Sequence, residues 1–364
     1  MTEQSLYIHI PFCASKCPYC DFYSLADYPP TRRAGAPPRG SHLQEAYVNR
    51  CVEILKAPFA CEGGGPQGRG EPIWRTAYIG GGTPSVLAPE LLARLLAAIE
   101  CASEFTIECN PTSVTPAFSR AIAEGGINRV SLGVQSVIPE ERKALGRTGD
   151  IETVERAITM LNCDNLSLDI MLGIPGQSIE SLTRTLEFCA NYAKHISAYL
   201  LKIESGTPFS AHPPENLPDE DAQAEFYLHA CEWLERHGFA QYEISNFAKP
   251  GYESLHNLNY WRCGEYFAMG PAAHGFTQGR RWHYARDLDA FLRGALPIDD
   301  GPGGDFEERA MLALRLCEGF AEPTARMLER AKALPGLVEV NENCVKLTRE
   351  GFLLSNIVIG RLLE

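Results

Sequence analysis

Three cysteines lie close together near the start of the sequence, within the segment YIHIPFCASKCPYC. Cys13, Cys17 and Cys20 have the spacing Cys-x3-Cys-x2-Cys, which lets thiolates on one loop surround a single soft-metal centre. A four-iron cluster normally takes four thiolates, so three would leave one iron open to another ligand. The alternatives are a structural zinc ion with His9 as fourth ligand, or three reduced core cysteines. Bare thiolates at this spacing would repel each other, which favours a metal centre.

The remaining cysteines indicate the compartment in which the chain works. The sequence has 13 cysteines, and those outside the cluster are scattered, mostly among apolar residues, as small core side chains. An odd total with one tight group predicts a reducing cytoplasm rather than a disulfide framework. The polar first residues and the lack of a long apolar run predict neither a secretory signal nor a transmembrane helix.

Composition limits the number of domains and the kinds of partner. The 364 residues suffice for two domains, or for one large barrel with an appendage. Hydrophobic residues make up 45% and charged residues 22%, which is typical of a globular protein with a sizeable core. Lys and Arg number 33 against 46 Asp and Glu, so the formal net charge is −13. Because such a chain repels phosphate backbones, no nucleic-acid partner is predicted.

Six β-rich runs alternate with helix-length stretches over the first two thirds of the chain. The predicted strands are 6–10, 76–79, 104–109, 129–134, 166–172 and 196–203, and the predicted helices are 43–55, 89–99, 115–124, 151–161 and 179–192. Consecutive βα units predict a parallel sheet with helices outside it, arranged at this length as an open or closed barrel. A doubly wound sheet is the alternative.

Changes in composition and in the pattern of apolar residues divide the sequence into three parts. Residues 1–245 are the predicted barrel core, with loose Pro/Gly-rich inserts at about 28–40 and 62–70. Residues 246–300 form a connecting region that ends in a predicted linker near 295–305. Residues 301–364 are predicted to form a winged-helix-like α+β cap, with helices at 306–316, 322–334 and 351–363 and a hairpin joining 338–340 to 344–347. A wing suggests DNA binding, but the acidic charge and the lack of a Lys/Arg row favour a structural cap.

Polar motifs occur at or near the ends of the predicted strands, where the site of a parallel barrel gathers. They are the glycine-rich run GGGTPS at 80–85, Glu108, Gln135, Arg147 and Asp169. Glycines let the backbone approach a ligand closely. A carboxylate such as Asp169 in an apolar strand is costly to bury alone, which indicates a ligand or a salt bridge with Arg147.

The cysteine spacing, with the aromatic Tyr19 just before Cys20, resembles the radical S-adenosylmethionine (SAM) superfamily. The resemblance implies a partial (βα)6 TIM-like barrel whose three cysteines hold a [4Fe–4S] cluster. It also implies that SAM binds the open iron through its amino and carboxylate groups. An electron from the cluster then cleaves SAM to a 5′-deoxyadenosyl radical.

Further motifs are similar to those of one branch of that superfamily, the coproporphyrinogen dehydrogenase-like branch. They are YIHIPFC, GGGTPS, ECNP, NRVSLGVQS, LGR, DIMLGIPGQS, IESGTPF and YEISNF. The branch includes an anaerobic porphyrin-forming enzyme and a heme chaperone. The resemblance assigns no catalytic side chain, and it implies SAM contacts at Tyr7, Tyr19, Gly81, Gly82, Thr83, Glu108, Gln135, Arg147 and Asp169.

Three features favour the chaperone within this branch. Phe22 stands where the porphyrin-forming enzyme has a fourth cysteine, and only 12 residues precede Cys13, too few for that enzyme's N-terminal arm. The segment HNLNYW, starting at His256, is similar to the chaperone's HNxxYW signature, which implies that His256 binds heme. Neutral imidazole suits iron, and the neighbouring Tyr260 and Trp261 offer flat apolar faces to a macrocycle. The residues alone leave open a surface histidine beside a core tryptophan.

The resemblance therefore predicts a cytoplasmic heme chaperone that binds a [4Fe–4S] cluster, SAM and heme. Its expected partners are a hemoprotein acceptor and an electron donor for the cluster. Transient contact with a membrane protein is left open, and no nucleic-acid partner is expected. The first alternative is an oxygen-independent coproporphyrinogen III oxidase, which would decarboxylate two propionates to vinyl groups and form protoporphyrinogen IX. The second is a radical SAM enzyme that modifies RNA, which the net charge of −13 disfavours.

Overall fold

A twelve-stranded sheet is the framework of the computed structural model, which describes residues 4–26, 41–57, 73–341 and 343–364. The inserts predicted at 28–40 and 62–70 lie outside the described residues. Six strands run parallel in chain order, β1 Ser5–Ile10, β2 Ile73–Gly81, β3 Glu100–Cys109, β4 Arg129–Gln135, β5 Leu166–Leu172 and β6 His195–Leu200. Alternate residues of β1, Leu6, Ile8 and Ile10, are fully buried, as expected for a parallel sheet covered on both faces.

Helices cover the outer face of these strands. The first eight are α1 Ser41–Lys56, α2 Pro89–Leu96, α3 Pro116–Glu124, α4 Pro139–Ala144, α5 Ile151–Leu161, α6 Ile179–Tyr192, α7 Pro208–Ala211 and α8 Glu220–Arg236. Most start at a side-chain cap, as at α5, where Asp150 accepts a hydrogen bond from the Thr153 amide at 2.9 Å. For these helices, a capping side chain nearby in the sequence determines where the helix begins.

Shorter strands extend the sheet at both sides. They are β7 Ala240–Gln241, β8 Asn246–Ala248, β9 Tyr266–Met269, β10 His274–Thr277, β11 Arg280–His283 and β12 Ile298–Pro302. Strand β9 pairs parallel with β1, and β8 pairs antiparallel with β6. The strand order is 12-11-10-9-1-2-3-4-5-6-8-7. Since β1 to β6 follow one another without reversal, the doubly wound alternative is wrong, and the parallel strands form a partial barrel.

The C-terminal part adds helices and a hairpin. Its elements are α9 Leu255–Trp261, α10 Leu288–Leu292, α11 Phe306–Ala313, α12 Ala325–Lys332, β13 Val338–Asn341, β14 Cys344–Leu347, α13 Arg349–Leu353 and α14 Ser355–Leu363. Strands β13 and β14 pair antiparallel as a separate two-stranded sheet. The likeness of this part to a winged helix stays a prediction.

Two expectations about this half of the chain were wrong, and one helix was missed. The predicted linker at 295–305 contains the edge strand β12. This strand forms because β11 supplies its hydrogen bonds, and the Pro/Gly-rich composition of the segment does not reveal that pairing. The helix predicted at 351–363 is broken at Leu354 into α13 and α14. The 17-residue helix α8 was not predicted at all. Among the described residues, no helix is long and apolar enough to cross a membrane.

Candidate cofactor site

The three cysteines lie on the loop that follows β1, at the carboxyl end of the parallel strands. Backbone hydrogen bonds hold this loop, from the Cys13 amide to Leu25 (3.1 Å), from the Leu25 amide to Pro11 (2.9 Å) and from the Cys20 amide to Cys17 (3.1 Å). All three thiols are free of disulfides. The loop therefore presents three thiols from a backbone that is already fixed, as a metal centre requires.

The glycine-rich segment after β2 is hydrogen-bonded directly to the cysteine loop. The Gly82 amide donates to the Ile10 carbonyl at 2.7 Å, and the Thr83 amide donates to the Phe12 carbonyl at 2.7 Å. The Thr83 hydroxyl lies 3.3 Å from the Cys13 sulfur. A Cβ atom on Gly82 would stand only 2.6 Å from the Phe12 oxygen, so this close approach requires glycine.

Gly81 joins the same segment to a buried carboxylate. Its φ is +103°, and a Cβ atom there would lie 2.5 Å from Nδ1 of His9. Its amide donates to Oε2 of Glu108 at 3.0 Å. Because protein acceptors use the amides of Gly81, Gly82 and Thr83, the backbone of this segment has only carbonyl groups to offer a ligand, and these suit an amino group.

Arg147 brings a positive charge to the cysteine loop. Its Nη1 lies 3.6 Å from the Cys17 sulfur, and its Nη2 donates to the Gly133 carbonyl at 2.7 Å. A guanidinium at this distance can donate a hydrogen bond to the sulfur of a metal-bound thiolate. Tyr19 lies against Phe209, with ring centroids 6.3 Å apart. Burial raises the pKa of Tyr19, as does the neighbouring Cys17.

A single zinc ion does not fit these cysteines. Tetrahedral zinc with bonds of about 2.3 Å places its thiolates about 3.8 Å apart, whereas Cys13, Cys17 and Cys20 do not form a group of described residues within 4.8 Å of one another. His9, the proposed fourth zinc ligand, has both ring nitrogens engaged, with the Tyr7 hydroxyl at 3.0 Å and the Tyr23 carbonyl at 2.8 Å. The wider spacing suits thiolates that bind different irons of one cluster.

Glu108 is a buried carboxylate at the end of β3. The Tyr78 hydroxyl donates to its Oε1 at 2.8 Å, and the Gly81 amide donates to its Oε2. Burial, together with the nearby Asp169 charge, raises the pKa of Glu108 to about 7. The side chain can therefore change charge near neutral pH, and in its ionised form it is a suitable acceptor for an ammonium group.

This raised pKa predicts how SAM binding depends on pH. Only the ionised Glu108 accepts hydrogen bonds from the amino group of SAM with both oxygens, so affinity should be full well above pH 7 and should weaken as protonation proceeds below it. With a pKa of about 7, the dissociation constant should rise about tenfold between pH 8 and pH 6. Equilibrium dialysis of labelled SAM with cluster-loaded protein would measure it. Glu108→Gln should bind weakly at every pH, and an equally steep pH profile in that variant would contradict the assignment.

Gln135 ends β4 in a backbone conformation that is rare for its residue type. Its φ is +68°, a left-handed value that costs a non-glycine residue about 1–2 kcal/mol. Its side-chain oxygen Oε1 is buried without a hydrogen-bond partner, as is Nε of Arg147. Strain and unpaired polar atoms together are typical of a ligand site. These atoms fit the predicted SAM contacts at Gln135 and Arg147.

Asp169 on β5 is held by hydroxyl groups of its own strand and of the neighbouring strand β4. Its carboxylate accepts hydrogen bonds from the Ser131 hydroxyl at 2.8 and 2.9 Å and from the Ser167 hydroxyl at 3.3 Å. Burial raises the pKa of Asp169 despite these hydroxyl donors. The alternative of a structural pair with Arg147 is wrong, since Arg147 bonds to Cys17 and Gly133 instead.

The HNLNYW segment forms helix α9, which packs against β2. His256 is fully buried, so the alternative of a surface histidine is wrong. Its Nδ1 lies 2.8 Å from the Thr76 hydroxyl and its Nε2 lies 2.8 Å from the Tyr260 hydroxyl. Its ring also stacks on Tyr78, with centroids 5.2 Å apart.

The hydrogen bonds of His256 define its tautomer. Burial and the positive charge of Arg129 lower the pKa of His256 to about 3, so the ring is neutral at physiological pH. The Thr76 hydroxyl donates to Ser5 at 2.7 Å, so Nδ1 of His256 must be the donor to Thr76. The lone pair is then on Nε2, which accepts from Tyr260. An iron atom would reach Nε2 only after that hydroxyl moves away.

A cavity of about 450 Å3 joins the cysteine loop to helix α9. Its walls include Phe22 from the loop, Tyr78 and Glu108 from the strands, and Asn257 and Tyr260 from the helix. A pocket of this size at the carboxyl ends of parallel strands is typical of a ligand site. His256 itself does not line the cavity, and Tyr260 lies between them.

Comparisons with known proteins agree with this geometry. A sequence profile of the radical SAM superfamily matches residues 7–189. The heme chaperone HemW of Bacillus subtilis is 33% identical, with 99% of both chains covered. HemW of Escherichia coli is 37% identical, with 80% of this chain and 76% of the other covered. The chain belongs to the HemW family of the radical SAM superfamily.

The chain is also similar to a mitochondrial protein and to the solved structure of an enzyme. Radical S-adenosyl methionine domain-containing protein 1, mitochondrial, from mouse is 36% identical, with 75% of this chain and 61% of the other covered. The solved structure of coproporphyrinogen III oxidase (HemN) from Escherichia coli has a TM-score of 0.79 at 18% identity, covering 99% of this chain and 90% of the other. That likeness confirms the partial radical SAM barrel.

Membership of the superfamily implies a [4Fe–4S] cluster and SAM, and the residues present fit both. Three free thiols with a guanidinium beside Cys17 fit the cluster. The unpaired oxygen of Gln135 and the buried carboxylate of Glu108 fit SAM. The sequence analysis missed Tyr78, whose hydroxyl donates to Glu108 and whose ring stacks on His256. Its position in a predicted strand directly before the glycine-rich run could have indicated that it lies at the site.

Proposed function

We propose that this member of the HemW family is a heme chaperone that passes heme to a hemoprotein acceptor. The observation that carries the proposal is the cavity where helix α9, with the HNLNYW segment, meets the cysteine loop. Relatives named heme chaperone HemW, with 33% to 37% identity, support it. Phe22, 64% exposed at the cavity wall, stands where a fourth cysteine would indicate the porphyrin-forming enzyme.

In this proposal the chain's own residues arrange the two cofactors. Cys13, Cys17 and Cys20 hold the cluster, and Arg147 places its guanidinium 3.6 Å from the Cys17 sulfur. Glu108 accepts from the amino group of SAM, while Gln135 offers a buried side-chain oxygen that has no partner within the protein. When bound, the cluster supplies an electron to SAM.

We propose that heme lies at the helix α9 side of the cavity, against its aromatic walls, and leaves the Glu108 side to SAM. Phe22, Tyr78 and Tyr260 offer apolar ring surface, and Arg286 offers a positive charge to a propionate. His256 is the proposed axial ligand, since Nε2 carries the lone pair and one hydroxyl separates it from the cavity. Displacing that neutral hydrogen bond costs about 1 kcal/mol, which is small beside an iron–imidazole bond.

A heme titration of cluster-loaded protein followed by absorption tests both proposals. Wild type should saturate near one heme per chain. His256→Ala should bind at least tenfold more weakly, with a shifted Soret band, because the axial ligand is lost. Tyr260→Phe should bind a few-fold more tightly, because Nε2 no longer has to release a hydroxyl. Tyr252→Phe, the same exchange at a hydroxyl that bonds Asp164 on the surface, is the matched control.

The outcomes separate the function from the ligand. Weak, unsaturable heme binding by wild type would contradict the chaperone. Saturable binding with the same spectrum in wild type and His256→Ala would keep the chaperone and remove His256 as the ligand. Anaerobic formation of protoporphyrinogen IX from coproporphyrinogen III, SAM and a reductant would replace the chaperone by the enzyme.

The proposal extends to partners and location. We place the chain in the cytoplasm, a reducing compartment, and the free state of the described cysteines supports this. A reductant must supply the cluster's electron. Heme-transfer assays with candidate hemoproteins would identify the acceptor. The net charge of −13 supports the absence of a nucleic-acid partner.

A further inference from the structure

Three antiparallel strands bring two histidines and an aspartate together on one face of the sheet. His274 on β10 is directly opposite His283 on β11, and cross-strand partners share a face. On β12, Trp282 pairs with Asp299 and Arg281 pairs with Gly301, so Asp300 has no partner in the register. Such a bulge redirects a side chain, and Asp300 contacts His283.

The three side chains converge to the dimensions of a metal site. Nδ1 of His283 lies 2.8 Å from Oδ1 of Asp300, and the rings of His274 and His283 are 5.2 Å apart at 23°. One ligand atom from each residue lies within 4.8 Å of the other two, and no other such group of three is found in the part of the chain that the structure describes. Bonds of about 2.0–2.1 Å to a tetrahedral cation place adjacent ligands about 3.3 Å apart, so modest side-chain rotations suffice.

We propose that His274, His283 and Asp300 form a site for a divalent transition-metal cation of borderline softness, such as Zn2+. Two imidazoles and one carboxylate are a ligand set that such ions favour. Three ligands converging from one side suit a free ion, whereas a porphyrin already fills four positions around its iron. The site adjoins the proposed heme cavity, whose wall includes His274, but its three ligands come from β10, β11 and β12 and do not depend on heme.

The state of the ligands favours a cation. A neutral imidazole offers a metal ion the lone pair of one ring nitrogen. Within the described residues, neither nitrogen of His274 makes a hydrogen bond. His274 also lines the cavity beside Arg286. A bound cation would therefore join the edge strand β12 to the cavity wall. With three protein ligands, at least one coordination position is left for water or an anion.

Zinc binding to untagged, cluster-loaded protein tests the site. After anaerobic dialysis against buffered Zn2+, elemental analysis should find one zinc per chain with the iron content unchanged. The zinc absorption edge should indicate nitrogen and oxygen ligands without sulfur. His283→Ala and Asp300→Ala should each bind zinc at least tenfold more weakly, while His212→Ala, an exposed histidine outside the group, should match wild type.

Each alternative result would overturn the proposal. Zinc retained equally by His283→Ala, or an edge that reports sulfur ligands, would place the metal on cysteines. No zinc above the His283→Ala level in wild type would remove the site. Wild type alone should also gain thermal stability when zinc is added, because the ion binds only the folded chain; an equal gain in His283→Ala would contradict the assignment.

Discussion

Cys17→Ala is expected to abolish the iron–sulfur cluster. The loop offers three thiols to a cluster that normally takes four, so the loss of one leaves two ligands and no spare cysteine at position 22. Iron and sulfide after anaerobic reconstitution should fall from about four per chain to background, and the brown absorption should disappear. SAM binding should weaken with it, since the open iron is lost.

A matched control separates ligation from general cysteine chemistry. Cys344 is also free and half-buried, on β14 far along the chain from the loop, and Cys344→Ala should keep the full cluster. Arg147→Lys keeps the charge but loses the fork that joins Gly133 to Cys17, so it should reconstitute with less iron than wild type. A cluster that survives intact in Cys17→Ala would disprove the ligand assignment.

The parallel strands could be predicted because their cause is local. Residues 166–172 were predicted as a strand and β5 spans Leu166–Leu172, since a run of apolar residues buried on both faces has few other stable arrangements. The cysteine loop and the glycine-rich segment could be predicted as parts of the site for the same reason. Their residue types are required at those positions by bonds to neighbours such as Phe12.

The rest depends on contacts between residues far apart in sequence. Strand β9 lies beside β1 although about 260 residues separate them, and nothing within 266–269 indicates that partner. The burial of His256 likewise arises from Thr76, 180 positions away. Without those contacts, the imidazole could only be predicted as a ligand or a surface side chain, and its hydrogen-bonded state was missed.

Helix α9 is held in place by one buried carboxylate that the sequence did not single out. Glu104 on β3 accepts hydrogen bonds from the Ser254 hydroxyl at 3.1 Å, the Leu255 amide at 2.8 Å and the His256 amide at 3.0 Å. These donors form the start of α9, whose first amides have no partner within the helix. Burial alone would lower the pKa of Arg129, yet the Glu104 charge raises it, so the carboxylate also compensates a buried cation.

Glu104→Gln is therefore expected to loosen α9 and with it the HNLNYW segment. Weakening three hydrogen bonds to a buried charge, and leaving Arg129 less compensated, should cost about 3 kcal/mol. That cost corresponds to about a 100-fold faster exchange of the α9 amide hydrogens, measured by mass spectrometry of peptides covering 254–262. Heme affinity should fall in parallel, because Tyr260 and His256 no longer hold one position at the cavity.

The same exchange on the same strand provides the control. Glu100 is exposed at the start of β3, and Glu100→Gln should leave the exchange of α9 unchanged, since surface substitutions usually alter stability by less than about 0.5 kcal/mol. If Glu104→Gln accelerates exchange equally in α2 and α9, the carboxylate stabilises the whole barrel rather than seating the helix. If exchange is faster in α9 alone and heme affinity is unchanged, heme does not bind against this helix. Heme would then contact the part of the cavity wall that the cysteine loop forms.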